Sequence, residues 1–223
     1  MKKRLLLWLA FGLLEILSIN SESATWVMAG GGYCTSFENA SRGSNRSVAT
    51  MNSIDVMLEY HIFHGNSMWG LFYRFDFLIP TFGSHTLSGI AESNDVRSYD
   101  RLLGFMTVIG PAFRFPISNN LDMEVGIGAS WTGFSGYFEK HAQVLGNIRY
   151  SMFSYSFGVS ADIGVGIHIS DSILLMPGTS ITYCFASHSS FTENGTTIEG
   201  WASKYSGLSV SPYIHLAIRA HAI

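Results

Sequence analysis

NSMWGLFYRFDFLIP, residues 66–80, seats Arg74 and Asp76 among the bulkiest apolar side chains of the sequence. Read with a period of two, Trp69, Leu71, Tyr73, Phe75, Phe77 and Ile79 fall on one side. Met68, Gly70, Phe72, Arg74, Asp76 and Leu78 fall on the other. Successive side chains of a strand point to opposite faces, whereas a helix would mix the two sets on every face. The stretch is therefore a strand with one wholly apolar face.

The same alternation recurs over residues 54–62, 103–115, 121–132, 153–169, 173–186 and 208–219, with a weaker first run, TWVMAGGGYCTS, at 25–36. In the seven clear runs no apolar-side position is Asp, Glu, Lys or Arg. The companion side carries Asp55, Glu59, Arg74, Asp76, Arg114, Asp122, Glu124, Asp162 and Arg219. Short turns around Gly65, Asn119 and Asp171 alternate with longer polar segments, roughly 37–48, 80–98, 135–149 and 187–206. About eight strands with short turns at one rim and long loops at the other predict an all-β fold: an eight-stranded antiparallel up-and-down transmembrane β-barrel.

Two orientations compete for such a barrel. A soluble barrel would fill its inside with the large apolar residues, whereas a membrane barrel turns them to lipid and encloses the polar set. The enclosed set is rich in Gly and Ser, which suits the crowded interior of a narrow closed sheet. Exposed positions on a soluble strand favour larger polar residues. Long aromatic residues also gather towards strand ends, Tyr60, Trp69, Phe113 and Phe115 near the short-turn rim, and Phe77, Trp131, Tyr155 and Tyr183 towards the long-loop rim. Two such belts are what membrane interfaces select. Hydrocarbon offers backbone groups no partner, so strands cross it only as a closed ring.

Composition agrees. Aromatic residues make up 14% of the sequence and charged residues only 13%, with a formal net charge of −3; roughly a quarter of a soluble domain is charged. Nothing in that balance attracts a nucleic acid. The N-terminus, MKKRLLLWLAFGLLEILSINSESA, places Lys2, Lys3 and Arg4 before an apolar run and then small polar residues, the order of a secretory signal peptide. We assign residues 1–23 to that signal and 24–223 to the barrel, which predicts export to the cell outer membrane. Cleavage there leaves ten basic and fourteen acidic residues, a net of −4.

With a signal peptide, eight alternating strands, short inner turns and longer outer loops, the sequence resembles the small outer-membrane barrels typified by OmpA, OmpX and OmpW, and is nearest the OmpW type in size. That resemblance implies uptake of small apolar compounds. It departs at the C-terminus, RAHAI, where such barrels end in an aromatic residue. Ile223 is also off the outward register, so insertion uses another cue or the register slips near the end.

The inward charges predict a luminal network of Asp55, Glu59, Arg74, Asp76, Arg114, Asp122, Glu124, Asp162, His168, His215 and Arg219, because enclosed charges need partners. Gly126, Gly128, Ser130, Gly158 and Ser160 are small enough to leave a pocket in the upper lumen. Pro177 and Pro212, inside the last two strands, mark a candidate lateral opening, since proline donates nothing to a ladder. Cys34 and Cys184 lie on strands that are not neighbours, which leaves a disulfide between them open. No nucleophile elbow, phosphate loop or metal-ligand spacing occurs, and His61 with His64 is too little for a metal. The sequence therefore predicts no enzyme, no cofactor and no metal. Outer-membrane lipid, a small solute in the lumen and a host or envelope macromolecule at the loops are the candidate partners. A narrow channel or carrier for small, apolar solutes leads, and a surface-binding barrel displaying its loops is the alternative.

Overall fold

The computed structural model describes residues 23–64, 67–86, 94–142 and 146–220. Of the expected signal segment only Ser23, the first residue of the first strand, is among them. The Gly65 turn and Ile223 also lie outside the described residues. The strands are β1 (Ser23–Arg42), β2 (Asn45–His64), β3 (Trp69–His85), a two-residue β4 (Asn94–Asp95), β5 (Arg101–Ser118), β6 (Leu121–Ala142), β7 (Gly146–Ser170), β8 (Ile173–Glu193), a short β9 (Thr196–Trp201) and β10 (Lys204–Ala220). A 3-10 turn, Val96–Ser98, follows β4.

Eight long strands pair antiparallel in the order β1, β2, β3, β5, β6, β7, β8, β10, and β10 pairs back onto β1, so the sheet closes. Paired residues can be followed around the ring from Val27 through Tyr60, Tyr73, Ile109, Ala129, Val159, Tyr183 and Leu208 to Phe37. The circuit returns to β1 ten residues beyond its start. That stagger over eight strands tilts them by about 40° and leaves an inside just wide enough for side chains. Every residue of the circuit belongs to the outward set.

Burial follows the alternation. On β3, Leu71, Tyr73, Phe75, Phe77 and Ile79 are exposed on the outer face, whereas Phe72, Arg74, Asp76 and Leu78 are buried inside. The outer wall is apolar over most of its height, and the core is the lumen itself. The inward glycines seat its larger residues. A Cβ on Gly126 would meet the Phe72 ring at 2.9 Å, and one on Gly178 the Tyr213 ring at 2.6 Å. The pocket expected beside Gly126, Gly128, Ser130, Gly158 and Ser160 is therefore absent. Phe72 and Val108 occupy the space left by Gly126 and Gly128, Gly158 is pressed against the β8 backbone, and Ser130 and Ser160 are buried.

The long polar segments are mostly sheet. β1 and β2 continue through 37–48 to a two-residue turn at Gly43 and Ser44, and β6 and β7 stay paired up to Ala142 and Gly146. Within 187–206, β8 and β9 form a hairpin closed by Asn194 and Gly195, both at positive φ (46° and 85°). That geometry is the mirror-image turn that Asn-Gly favours. A bulge at Phe185, between Phe157↔Ala186 and Gly158↔Cys184, shifts the alternation below this hairpin.

The candidate opening at Pro177 and Pro212 is not there. Their strands, β8 and β10, pair without interruption from Gly207↔Cys184 to Ile218↔Ile173, with both prolines in register. In an antiparallel ladder the N–H and C=O of one residue face the same neighbour, so proline weakens one side only. Pro177 interrupts β7–β8 pairing between Gly164↔Gly178 and Ile167↔Leu175. Pro212 interrupts β1–β10 between Gly32↔Tyr213 and Thr35↔Val210, and Pro111 interrupts β5–β6 between Ile109↔Ala129 and Ala112↔Gly126.

Candidate functional site: the filled lumen

Register brings the inward charges together. Glu59 on β2 is the direct partner of Arg74 on β3, and Arg114 on β5 is the direct partner of Glu124 on β6. At mid-height Arg74 has no exposed surface. Its Nε donates to Asp76 Oδ2 at 3.1 Å, and its Nη1 donates to Asp162 Oδ1 across the lumen. Asp55, also fully buried, accepts from Ser211 Oγ at 2.7 Å. A guanidinium here is anchored by two strands that are not neighbours, which ties opposite walls of the ring together.

Towards the short-turn rim lies a second cluster. Both ring nitrogens of His61 sit 2.6 Å from carboxylate oxygens, Nε2 from Glu59 and Nδ1 from Glu124. An imidazolium satisfies both, because only that form donates from both nitrogens. Arg114 Nη2 lies 2.6 Å from Glu124 Oε1, and the guanidinium stacks 4.2 Å from the Phe63 ring centroid. His168 Nε2 is 2.7 Å from Asp122 Oδ2, and His215 Nδ1 is 3.2 Å from Glu59 Oε2, with its ring stacked on Tyr213 at 4.2 Å. Ten of the eleven residues expected in the network thus face the lumen and engage a partner there. Arg219 does not: it is exposed at the rim, where β10 ends, and makes no ion pair among the described residues. His61, which links the two ends of the cluster, was not expected there, since its second carboxylate comes from a strand 63 residues away.

The upper lumen is filled differently. His85 packs its ring 4.9 Å from Phe134 and pairs Nε2 with Ser154 Oγ at 2.9 Å. Higher still, Phe138 stacks on Tyr150 at 4.6 Å and meets Tyr99 edge-on at 5.1 Å, while Tyr150 stacks on Phe191. Val96 and Tyr99, from the segment after β4, are buried in the same mouth. Between the two fillings a cavity of about 20 Å³ remains, lined by Cys34, Cys184, Glu38, Met51, Met106 and Tyr205 among others. That volume holds about one water molecule. Both thiols are free and buried.

The expected aromatic belts all lie on the outer face. Tyr60, Trp69, Phe113, Phe115, Phe77, Trp131 and Tyr183 are exposed, and Trp69 is the direct partner of Phe113. Tyr155 is partly covered by Trp201 of β9, 5.7 Å away, a residue of the expected long segment 187–206. Among the described residues no cluster of His, Cys, Asp and Glu has the arrangement of a metal site.

No protein-family profile and no curated protein sequence matches the chain. Solved structures do. Neisserial surface protein A is 8% identical, over 88% of this chain and 97% of its own, with a TM-score of 0.53. OprG of Pseudomonas aeruginosa is 12% identical over 90% and 98%, with a TM-score of 0.49, and Ail of Yersinia pestis is 11% identical over 89% and 99%, with a TM-score of 0.39. At such identities what is shared is the architecture: this chain has the eight-stranded antiparallel barrel fold of small outer-membrane proteins.

Proposed function

We propose that the protein resides in the outer membrane, exported by a cleaved signal peptide, as a closed and non-catalytic barrel that works through its outward-facing end. The membrane part of this reading rests on the outer wall. Exposed apolar residues run around all eight long strands, far beyond the few hundred Å² that a soluble monomer leaves uncovered. The aromatic belts would sit at its two interfaces. Long strands extend the sheet past that apolar band: β7 has 25 residues, whereas about 9–11 suffice to cross a bilayer.

One observation carries the functional reading, the filled interior. Arg74, Phe63, Phe72, Met28, Met57 and Leu174 are all fully buried in it, and the residual cavity admits about one water. Such a barrel is a frame that holds the β6–β7 and β8–β9 hairpins away from the lipid surface, where a host or envelope macromolecule would be bound. The channel or carrier expected from the sequence ranks second, because a solute passes only if Arg74 and its partners rearrange.

Planar-bilayer recording with the purified protein separates the two. A closed frame gives no solute-dependent current, whereas steady conductance from the unmodified protein would overturn it. Replacing residues 193–203 by a Gly-Ser linker should abolish binding of proteoliposomes to arrayed glycans and matrix proteins and leave the bilayer recording unchanged.

A further inference from the structure

We propose that the outer wall where β10, β1 and β2 meet, above the apolar band, binds the phosphate of an anionic lipid of the outer leaflet. This rests on the membrane reading above. Cross-strand partners share a face, so the register reads out three outward rows in ascending order. Leu208–Phe37–Thr50 comes first, then Ser206–Asn39–Val48, and then Lys204–Ser41–Arg46. On β10 the wall changes from Leu208 through Ser206 to Lys204, on β1 from Phe37 through Asn39 to Ser41, and on β2 from Val48 to Arg46, within four residues or about 13 Å along the strand.

The basic row has the chemistry of a phosphate site. Lys204 and Arg46 flank Ser41 from opposite sides, and together with Asn39 and Ser206 they line an open recess of about 490 Å³. Asn39 Oδ1 accepts from Arg46 Nε at 3.3 Å, which holds the guanidinium over the recess and leaves its terminal nitrogens as a forked donor. Neither Arg46 nor Lys204 makes an ion pair among the described residues. In residues 36–52 and 204–210 the acidic residue is Glu38, which points inward to Tyr205 and His85. Within those segments no carboxylate points to this wall.

Position selects a lipid over a free ion. A lipid whose chains lie against Phe37, Val48 and Leu208 carries its headgroup up the same wall, and long basic side chains snorkel to meet it. The phosphate then gains a fork from Arg46, a point charge from Lys204 and hydroxyl donors from Ser41 and Ser206.

The test uses the full barrel in phosphatidylcholine nanodiscs doped with phosphatidic acid, with lipids retained after release counted by native mass spectrometry. The unmodified protein should retain phosphatidic acid in preference to phosphatidylcholine. Arg46→Gln and Lys204→Gln should each lower that preference roughly fivefold, and together roughly thirtyfold, while Arg149→Gln leaves it unchanged. Equal retention by the double variant would overturn the proposal. So would displacement by inorganic phosphate at the concentration at which the lipid binds, since the acyl chains would then contribute nothing. Flotation with vesicles keeps the two readings apart. Failure to float sinks the membrane reading and this one with it, whereas a floating barrel without lipid preference sinks this one alone.

Discussion

The lower and upper halves of the lumen solve one packing problem by opposite means. Below, charge threads between apolar side chains such as Phe63, Phe72 and Leu174: Arg74 and Arg114 with His61, His168 and His215 face six carboxylates, each of which is held by an ion pair or hydrogen bond. Above, stacked rings fill it, Phe134, Phe138, Tyr150 and Phe191 with Tyr99, and polar groups are reduced to Ser, Thr and a few others. Ion pairs in an enclosed space fix partners strictly, because a charge that loses its partner cannot find water. Stacked rings lose only contact area. The difference teaches that the lower half sets which strands face which, and the upper half closes the mouth more tolerantly.

Breaking one partner should expose the contrast. Arg74→Ala leaves Asp76 and Asp162 enclosed without their cation and should cost about 3–5 kcal/mol in urea unfolding from micelles. Replacing Arg74, Asp76 and Asp162 together by apolar residues of similar size should restore most of that loss, which only a charge-partner effect predicts. In the upper half, Phe134→Ala should cost about 3 kcal/mol in the same assay, as a cavity. A smaller loss, about 1–2 kcal/mol, is expected for Ser211→Ala, which strips Asp55 of its hydroxyl donor.

The weakest effect lies outside the lumen. The Tyr137 hydroxyl donates to Glu139 at 2.5 Å and Arg149 approaches the same carboxylate, and these hold the Glu139 carboxyl below its ordinary range. Arg149→Ala should raise that value towards the ordinary range in an NMR titration with no measurable shift of the unfolding midpoint. Whatever the exposed pair contributes is present above the ordinary carboxylate range and is lost as pH falls below that range through the lowered value.

Legibility in the sequence followed the same division by height. Where hydrocarbon lies outside and polar groups inside, alternation is forced, so residues 66–80 revealed both the strand and its orientation. Higher up, both faces of the wall meet polar surroundings, and a segment such as FENASRGSNRSV, 37–48, pairs as sheet without any hydrophobic period. The Asn194-Gly195 dipeptide is itself a hairpin signal, but the residues on either side of it carry no clean apolar alternation that would mark them as strands. In the lumen the charged members were legible because no lipid-facing position tolerates them. Their pairing was not, since it depends on stagger, and His61 acquires its role only when Glu124 arrives opposite it. Arg219 had the right parity, but it sits beyond the enclosed height. Pro177 and Pro212 misled because one-sidedness of a ladder is invisible without knowing which neighbour each residue faces.

The placement of Pro111, Pro177 and Pro212 has a mechanical consequence. Each weakens a different seam, none weakens both flanks of its own strand, and every gap is bounded above and below by intact pairing. A tear starting at one of them meets full-strength ladder within two residues, so the wall resists peeling strand from strand and yields only when the whole cylinder comes apart.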